Sequence, residues 1–367
     1  MFRQALALQQ RLLGEDHPEV SNTLFNLALL LRERGDYKAA EPIQRRVLAL
    51  DRQHYDDTHP NVAYSLMALG GVLTENGQYD EAVRVFREAL EIRRRVLAPG
   101  HPDLIKNLGV VGLTLHRGGD WEEAEPHLRE AAAMSRQYLG DHRITAGRLD
   151  ALGWHLSDRG LHEEALALHR ESLEIKLELI GPDHKNTATT YMHIATALKG
   201  TGDLEGALVA QEKAVAIGHA AYGAENVYTA TTELRLARIL LDLDRADEAF
   251  AHAGEAVATM RRVVAADSPR VAGGLMVLGR IHQERGELVE AERCFREALA
   301  IRRDRMGAEH PETAWTKVTL AELLLERGGR QEAGELARSG FQTLERKLPA
   351  GHVRVATAGE LVDAVDR

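Results

Sequence analysis

An alanine returns every 42 residues along this chain, and that spacing limits the fold more than any other feature of its 367 residues. The alanines are Ala40, Ala82, Ala124, Ala165, Ala207, Ala249, Ala291 and Ala333, separated by 42, 42, 41, 42, 42, 42 and 42 residues. A fixed period of this length marks a stacked array, in which each unit buries its apolar face only against its neighbours. A second marker keeps the same register: His17-Pro18, His59-Pro60, His101-Pro102, His142, His184, Asn226, Ser268-Pro269, His310-Pro311 and His352. Between the markers lie apolar stretches of helical spacing, such as Leu149, Leu152, Gly153 and Leu156, or Ala82, Phe86, Ala89 and Leu90. Each unit is therefore expected to be a helix, a tight turn and a longer second helix, with no strand anywhere.

The punctuation supports that reading. Turns are expected at Gly35, Gly77, Gly119, Gly160, Gly202, Asp244, Gly286 and Gly328, where a left-handed residue ends the first helix. Asp244 belongs to a residue type that tolerates this conformation better than most. The connector histidines, with Asn226 and Ser268 in the same phase, read as N-caps or connector packing, and proline after them suits the first helical position.

Composition narrows the function. The net charge is −10 and no block of one sign appears, which argues against nucleic acid as a partner. The arginine runs Arg45-Arg46, Arg93-Arg94-Arg95, Arg261-Arg262 and Arg302-Arg303 have glutamates nearby and read as solvated ridges. The single cysteine, Cys294, fits a reducing compartment and a packed thiol. With no run approaching the ~20 apolar residues of a membrane span and no signal-peptide pattern at the start, the expected location is cytoplasmic and no membrane contact is expected.

The layout resembles the tetratricopeptide repeat, which carries a small residue in helix one and an alanine twelve residues later in helix two. Here the small residues are Ala28, Gly70, Gly112, Gly153, Ala195, Ala237, Gly279 and Ala321. The 42-residue period and the Gly-x-Asp-His-Pro connector resemble kinesin light chain repeats, and "GEDHPEV…LFNLALLLRERGDYKAAEPIQRRVLAL" looks like bacterial tandem arrays attached to kinases or signalling ATPases. The resemblance implies an all-α, right-handed solenoid: a tetratricopeptide-type α–α superhelix of 42-residue helix pairs. In sequence it divides into an orphan second helix over residues 1–13, eight pairs over 17–347 and an orphan first helix over 353–366. Kinesin light chain repeats carry an Asn-Asn pair before the Leu-Ala of helix one, and here only Asn26 survives.

No phosphate-binding glycine loop, nucleophile elbow or His-Glu-x-x-His motif occurs, so neither catalysis nor a cofactor or metal is expected. Asp242, Asp244 and Asp247 lack the glycine and glutamate of a calcium loop and read as a helix–helix turn. By resemblance, first helices line the concave groove. At 100° per residue, Trp154 lies roughly 150° from its core stripe, while Tyr64 and Trp315 lie roughly 170° from theirs. Phe25, Met67, Met192 and Met276 flank this face, and Lys106, His116, Arg238, Arg280 and Gln283 share it. Aromatic anchors near arginine form binding hot spots. Apart from Met276, which only flanks the face, these eleven residues are the expected peptide-binding groove of a non-catalytic scaffold or sensor module that holds a protein or peptide partner. The alternative is an allosteric regulator that captures a signalling peptide or small ligand. A second surface is expected at the N-terminal end, where Phe2 and Leu6 would be covered by a second copy, giving a homodimer, or by a parent-protein segment.

Overall fold

The computed structural model describes residues 2–33, 36–348 and 352–367. They form two compact units, Met1–Arg159 and Gly160–Arg367. The first unit holds α1 (Phe2–Leu13), α2 (Pro18–Glu33), α3 (Tyr37–His54), α4 (Pro60–Glu75), α5 (Tyr79–Val96), α6 (Pro102–Gly118), α7 (Trp121–Leu139) and α8 (Arg143–Asp158). The second holds α9 (His162–Ile180), α10 (Lys185–Thr201), α11 (Leu204–Tyr222), α12 (Val227–Asp242), α13 (Ala246–Val263), α14 (Pro269–Glu284), α15 (Leu288–Met306), α16 (Pro311–Glu326), α17 (Arg330–Lys347) and α18 (Val353–Asp366). Among the described residues there is no strand. Within each unit every helix packs on the next, and first helices also touch across repeats, as in α6 on α8, α12 on α14 and α16 on α18.

The repeat markers act as expected. All nine connector residues cap a first helix: the Nδ1 of His17, His59, His101, His142, His184, His310 and His352 accepts the N–H two residues on. Asn226 and Ser268 do the same with side-chain oxygens. Replacing one such cap, for instance His59→Ala, should cost about 0.5–2 kcal/mol in denaturant unfolding, as losing an N-cap acceptor generally does. At the turns, Gly77, Gly119, Gly160, Gly202, Gly286 and Gly328 have positive φ, and Asp244 holds φ 59°. The turn expected at Gly35 falls outside the described residues.

The eight repeat alanines are all fully buried. What each faces explains which small residue its partner helix uses. A Cβ on Gly70 would lie 2.5 Å from the Phe86 ring, on Gly112 2.7 Å from Leu128, and on Gly279 2.5 Å from Phe295. Pairs with Gln44, Gln211, Ala253 or Ala337 at the ring's position carry Ala28, Ala195, Ala237 or Ala321 instead. Volume is thus conserved across the paired helices, which close packing demands.

Arginines of the second helices form exposed ridges, Arg45 and Arg261 of the runs among them. Arg45–Glu81, Arg52–Glu88, Arg87–Glu123, Arg261–Glu297 and Arg296–Glu332 each pair side chains 36 residues apart on successive second helices. Exposed pairs of this kind contribute roughly 0–1 kcal/mol each. Two arginines depart from the ridge reading. Arg93 is half-buried and donates to the Asp103 carbonyl at 2.9 Å, and Arg302 is 8% exposed. Their runs wrap around the helix, so one member of each faces the neighbouring pair.

Candidate partner-binding clefts

The exposed phase of the first helices opens into two clefts. In the second unit, α10, α12, α14, α16 and α18 each place a side chain in a cavity of about 340 Å³, closed below by Arg302 of α15. Arg238, Arg280 and Trp315, all expected from sequence, meet there with the flanking Met276. Lys199 pairs with Asp242, and Arg280 with Glu322 at 3.1 Å. Arg302 and Arg354 share Glu312, at 3.0 and 2.6 Å. Arg354 also lies over the Trp315 ring, 5.3 Å from its centre. Burial raises the Glu312 carboxyl, but Arg354 and Arg302 outweigh it and hold the group below the usual carboxylate range. Arg238 makes no ion pair among the described residues, so it faces the cavity with its charge uncommitted.

In the first unit a cleft of about 260 Å³ lies between α2, α3 and α4. Phe25 and Tyr64 form its wall with ring centres 5.2 Å apart, and Tyr64 remains 58% exposed. By the repeat register Phe25 and Tyr64 correspond to Met276 and Trp315. The two clefts thus overlap in repeat position, but the first reaches inward to Ser21, Val47 and Ser65, whereas the second runs along the first helices and is not lined by their counterparts Ala272, Ala298 and Thr316.

The remaining expected groove residues do not converge with these. Lys106 is exposed and pairs with Asp103 at 3.2 Å. Gln283 accepts from Arg280 and donates to Glu326. Met67 is half-buried. Met192 is only 8% exposed and packs with Ala188, Ala214 and Ile217, so it belongs to the core. Asp242, Asp244 and Asp247 also part company, since Asp242 pairs with Lys199 and Asp247 with Arg285. Leu6 packs against Val20, Leu24, Val47 and Leu50 rather than standing free, while the Phe2 side chain lies outside the described residues. Sequence reasoning missed Asp51, Arg302, Glu312 and Arg354. Glu312 and Arg354 each stand two residues after a capping histidine, where the sequence signals only a helix start.

His116 requires the largest correction. It is 5% exposed, enclosed by α6, α7 and α8, and does not line a groove. Its Nε2 lies 3.1 Å from Asp158 and its Nδ1 3.1 Å from Nδ1 of His155. The Trp121 ring stacks on it and the half-buried Trp154 meets it edge-on at 4.6 Å. Burial, followed by repulsion from His116, pulls His155 down to about 4. His310 is likewise lowered by burial. A depressed folded pKa means the unfolded chain binds the proton first, so stability is full above about pH 6.5 and falls as pH drops through 4. His155 alone should account for up to about 3 kcal/mol of that loss. Denaturant unfolding measured between pH 7 and pH 4 checks this, and a flat profile would contradict it.

The tetratricopeptide repeat model matches residues 1–53, 61–137, 108–178, 145–218, 186–262, 228–304 and 271–346. The chain is a tetratricopeptide repeat protein. It shares its fold with BtubC (BKLC) from P. vanneervenii, at 18% identity and TM-score 0.53, over 62% of this chain and 92% of that one. The apo quorum sensor NprR from B. thuringiensis aligns at 12% identity and TM-score 0.66, covering 94% and 92%. A Rap protein complexed with competence and sporulation factor aligns at 12% identity and TM-score 0.58, covering 95% and 98%. No curated protein matches the chain in sequence.

Proposed function

We propose that this tetratricopeptide repeat protein is a non-catalytic module that holds an extended peptide or a partner's helix along its first helices. The observation that carries this reading is the cleft of the second unit. Five successive first helices supply its lining, Met276 and Trp315 give it an apolar floor, and Arg238 keeps a charge without an ion pair among the described residues. Such a site accepts an apolar anchor and a neighbouring carbonyl or carboxylate, which is how binding hot spots are composed. The sensor version, in which capture of a signalling peptide alters the array, draws on the shared fold with Rap and NprR, one complexed with competence and sporulation factor and the other named a quorum sensor. No helix among the described residues is long and apolar enough to cross a membrane.

The test is a peptide selection on the purified protein, followed by titration. Bound peptides should quench tryptophan emission in the wild type, and Trp315→Ala should lose at least about tenfold in affinity, as hot-spot truncations do. Trp154→Phe, which alters only the interior packing on His116, should leave affinity unchanged. Equal binding by wild type and Trp315→Ala would refute the site.

The non-catalytic reading has its own check. Cys294 is 3% exposed, and burial pushes its thiol up to about 11. Only the thiolate is an effective nucleophile. Iodoacetamide at pH 8 should therefore leave Cys294 unmodified until the chain unfolds, and Cys294→Ser should alter stability alone. At the N-terminal end, Leu8, Leu12 and Leu13 are exposed large apolar residues of α1, at 49%, 68% and 43%. A covering copy or parent segment would bury these three, so Leu8→Glu with Leu12→Glu is the informative variant, read by oligomeric state.

A further inference from the structure

The repeat register puts Asp51, Arg93, Ser135, Lys176, Gly218, Met260, Arg302 and Leu344 at one equivalent position on successive second helices. Where that residue is basic, it plugs the crevice ahead of it in the same way each time. Arg93 donates to the carbonyl of Asp103 at 2.9 Å. Lys176 donates to the carbonyl of Asn186 at 3.4 Å and to Thr190 Oγ1 at 2.6 Å. Arg302 donates to the carbonyl of Glu312 at 3.0 Å and to Thr316 Oγ1 at 2.7 Å. The acceptor carbonyl always lies ten residues ahead, in the first turn of the next first helix.

The first pair breaks this pattern in both charge and length. Its residue is Asp51, whose carboxylate accepts from Ser21 Oγ at 3.2 Å and from the Ser65 hydroxyl. Ser65 stands where Thr190 and Thr316 stand in the plugged crevices. Asn61, ten residues ahead of Asp51, receives no side-chain bond at its carbonyl among the described residues, and Asp51 makes no ion pair among them. The space a plug would fill is the cleft of about 260 Å³ bounded by Phe25, Tyr55 and Tyr64. A half-buried carboxylate with only neutral hydroxyl donors is under-compensated, and aromatic faces beside it favour a cation.

We propose that this cleft takes the guanidinium group of an arginine side chain from the bound peptide, seated where Arg93 and Arg302 seat their own. One edge of the guanidinium would bond the Asp51 carboxylate and another the Asn61 carbonyl, with the Phe25 and Tyr64 rings alongside. A planar fork of donors suits two such acceptors better than an ammonium does, so lysine is the weaker occupant. The other titratable groups lining the cleft are His54, Tyr55 and Tyr64. Asp51 is the acidic residue of the lining. This inference rests on the peptide-binding reading for the source of the arginine, but its site lies wholly in the first unit and does not use Trp315.

The test is a titration at pH 8 with an acetylated hexapeptide carrying one central arginine among glycines and alanines, and with its citrulline twin, which keeps the shape and lacks the charge. The wild type should prefer the arginine peptide by at least about tenfold, the equivalent of 1.4 kcal/mol. Asp51→Asn should abolish that preference. Asp51→Arg, which builds the internal plug into the first pair, should abolish binding while helicity stays intact. Trp315→Ala should retain the preference, so that failure of the second-unit cleft would be visible separately. Equal binding of the two peptides by the wild type, or a preference that survives Asp51→Asn, would overturn the proposal. Argininamide or spermidine competing as tightly as the peptide would overturn the assignment to a peptide side chain.

Discussion

Arg302→Asp should destabilise the second unit by about 3–5 kcal/mol, the range for breaking a buried ion pair from one side. Arg302 is 8% exposed, and its guanidinium serves three acceptors at once: the Glu312 carboxylate, the Glu312 carbonyl and Thr316. The aspartate would remove all three bonds and place a second carboxylate beside Glu312, which like-charge repulsion penalises. Arg354 would still pair with Glu312, which keeps the loss within that range. Adding Glu312→Asn recreates the Asp51 and Asn61 arrangement of the first pair and should recover most of the stability. Urea unfolding of the single and double variants gives the comparison. A single variant within 0.5 kcal/mol of wild type, the spread typical of neutral surface changes, would show that Arg302 is dispensable.

Gly279→Ala should cost about 1–3 kcal/mol through overpacking. The added methyl would sit 2.5 Å from the Phe295 ring, which is fully buried and has no free volume into which to withdraw. Ala291→Leu attacks the same seam from the other helix and belongs in the same range. Phe295→Leu combined with Gly279→Ala should cost less than the sum of the two singles, because one change makes room for the other. Coupling in a repeat array runs between neighbours, so faster hydrogen exchange should concentrate in α14, α15 and α16. Uniform loss of protection over α9 to α18 would instead mean that the unit unfolds as one body.

What the sequence settled, it settled through local chemistry. The 42-residue register, the capping histidines with Asn226 and Ser268, the left-handed turn residues including Asp244, and the buried alanines depend on residues within one helix pair. Each acts over a few residues or across a single helix seam, so periodicity alone places it. Tyr64 and Trp315 were legible for the same reason, since a wheel angle roughly 170° from the local core stripe points a side chain out of its own pair.

Tertiary structure decided the positions at intermediate angles. A wheel gives a side chain's direction relative to its own pair, whereas its burial depends on how the next pair is shifted and rotated. That shift carried His116 into an interior shared with His155 and Trp121, and Met192 into the core against Ala214 and Ile217. It also turned Arg93 and Arg302 inward out of runs that look fully solvated as sequence. The contrast between Asp51 and Arg302 is a single letter at one register position. Only the crevice between neighbouring pairs shows that one letter fills the space with its own charge, and that the other leaves the space open around a carboxylate.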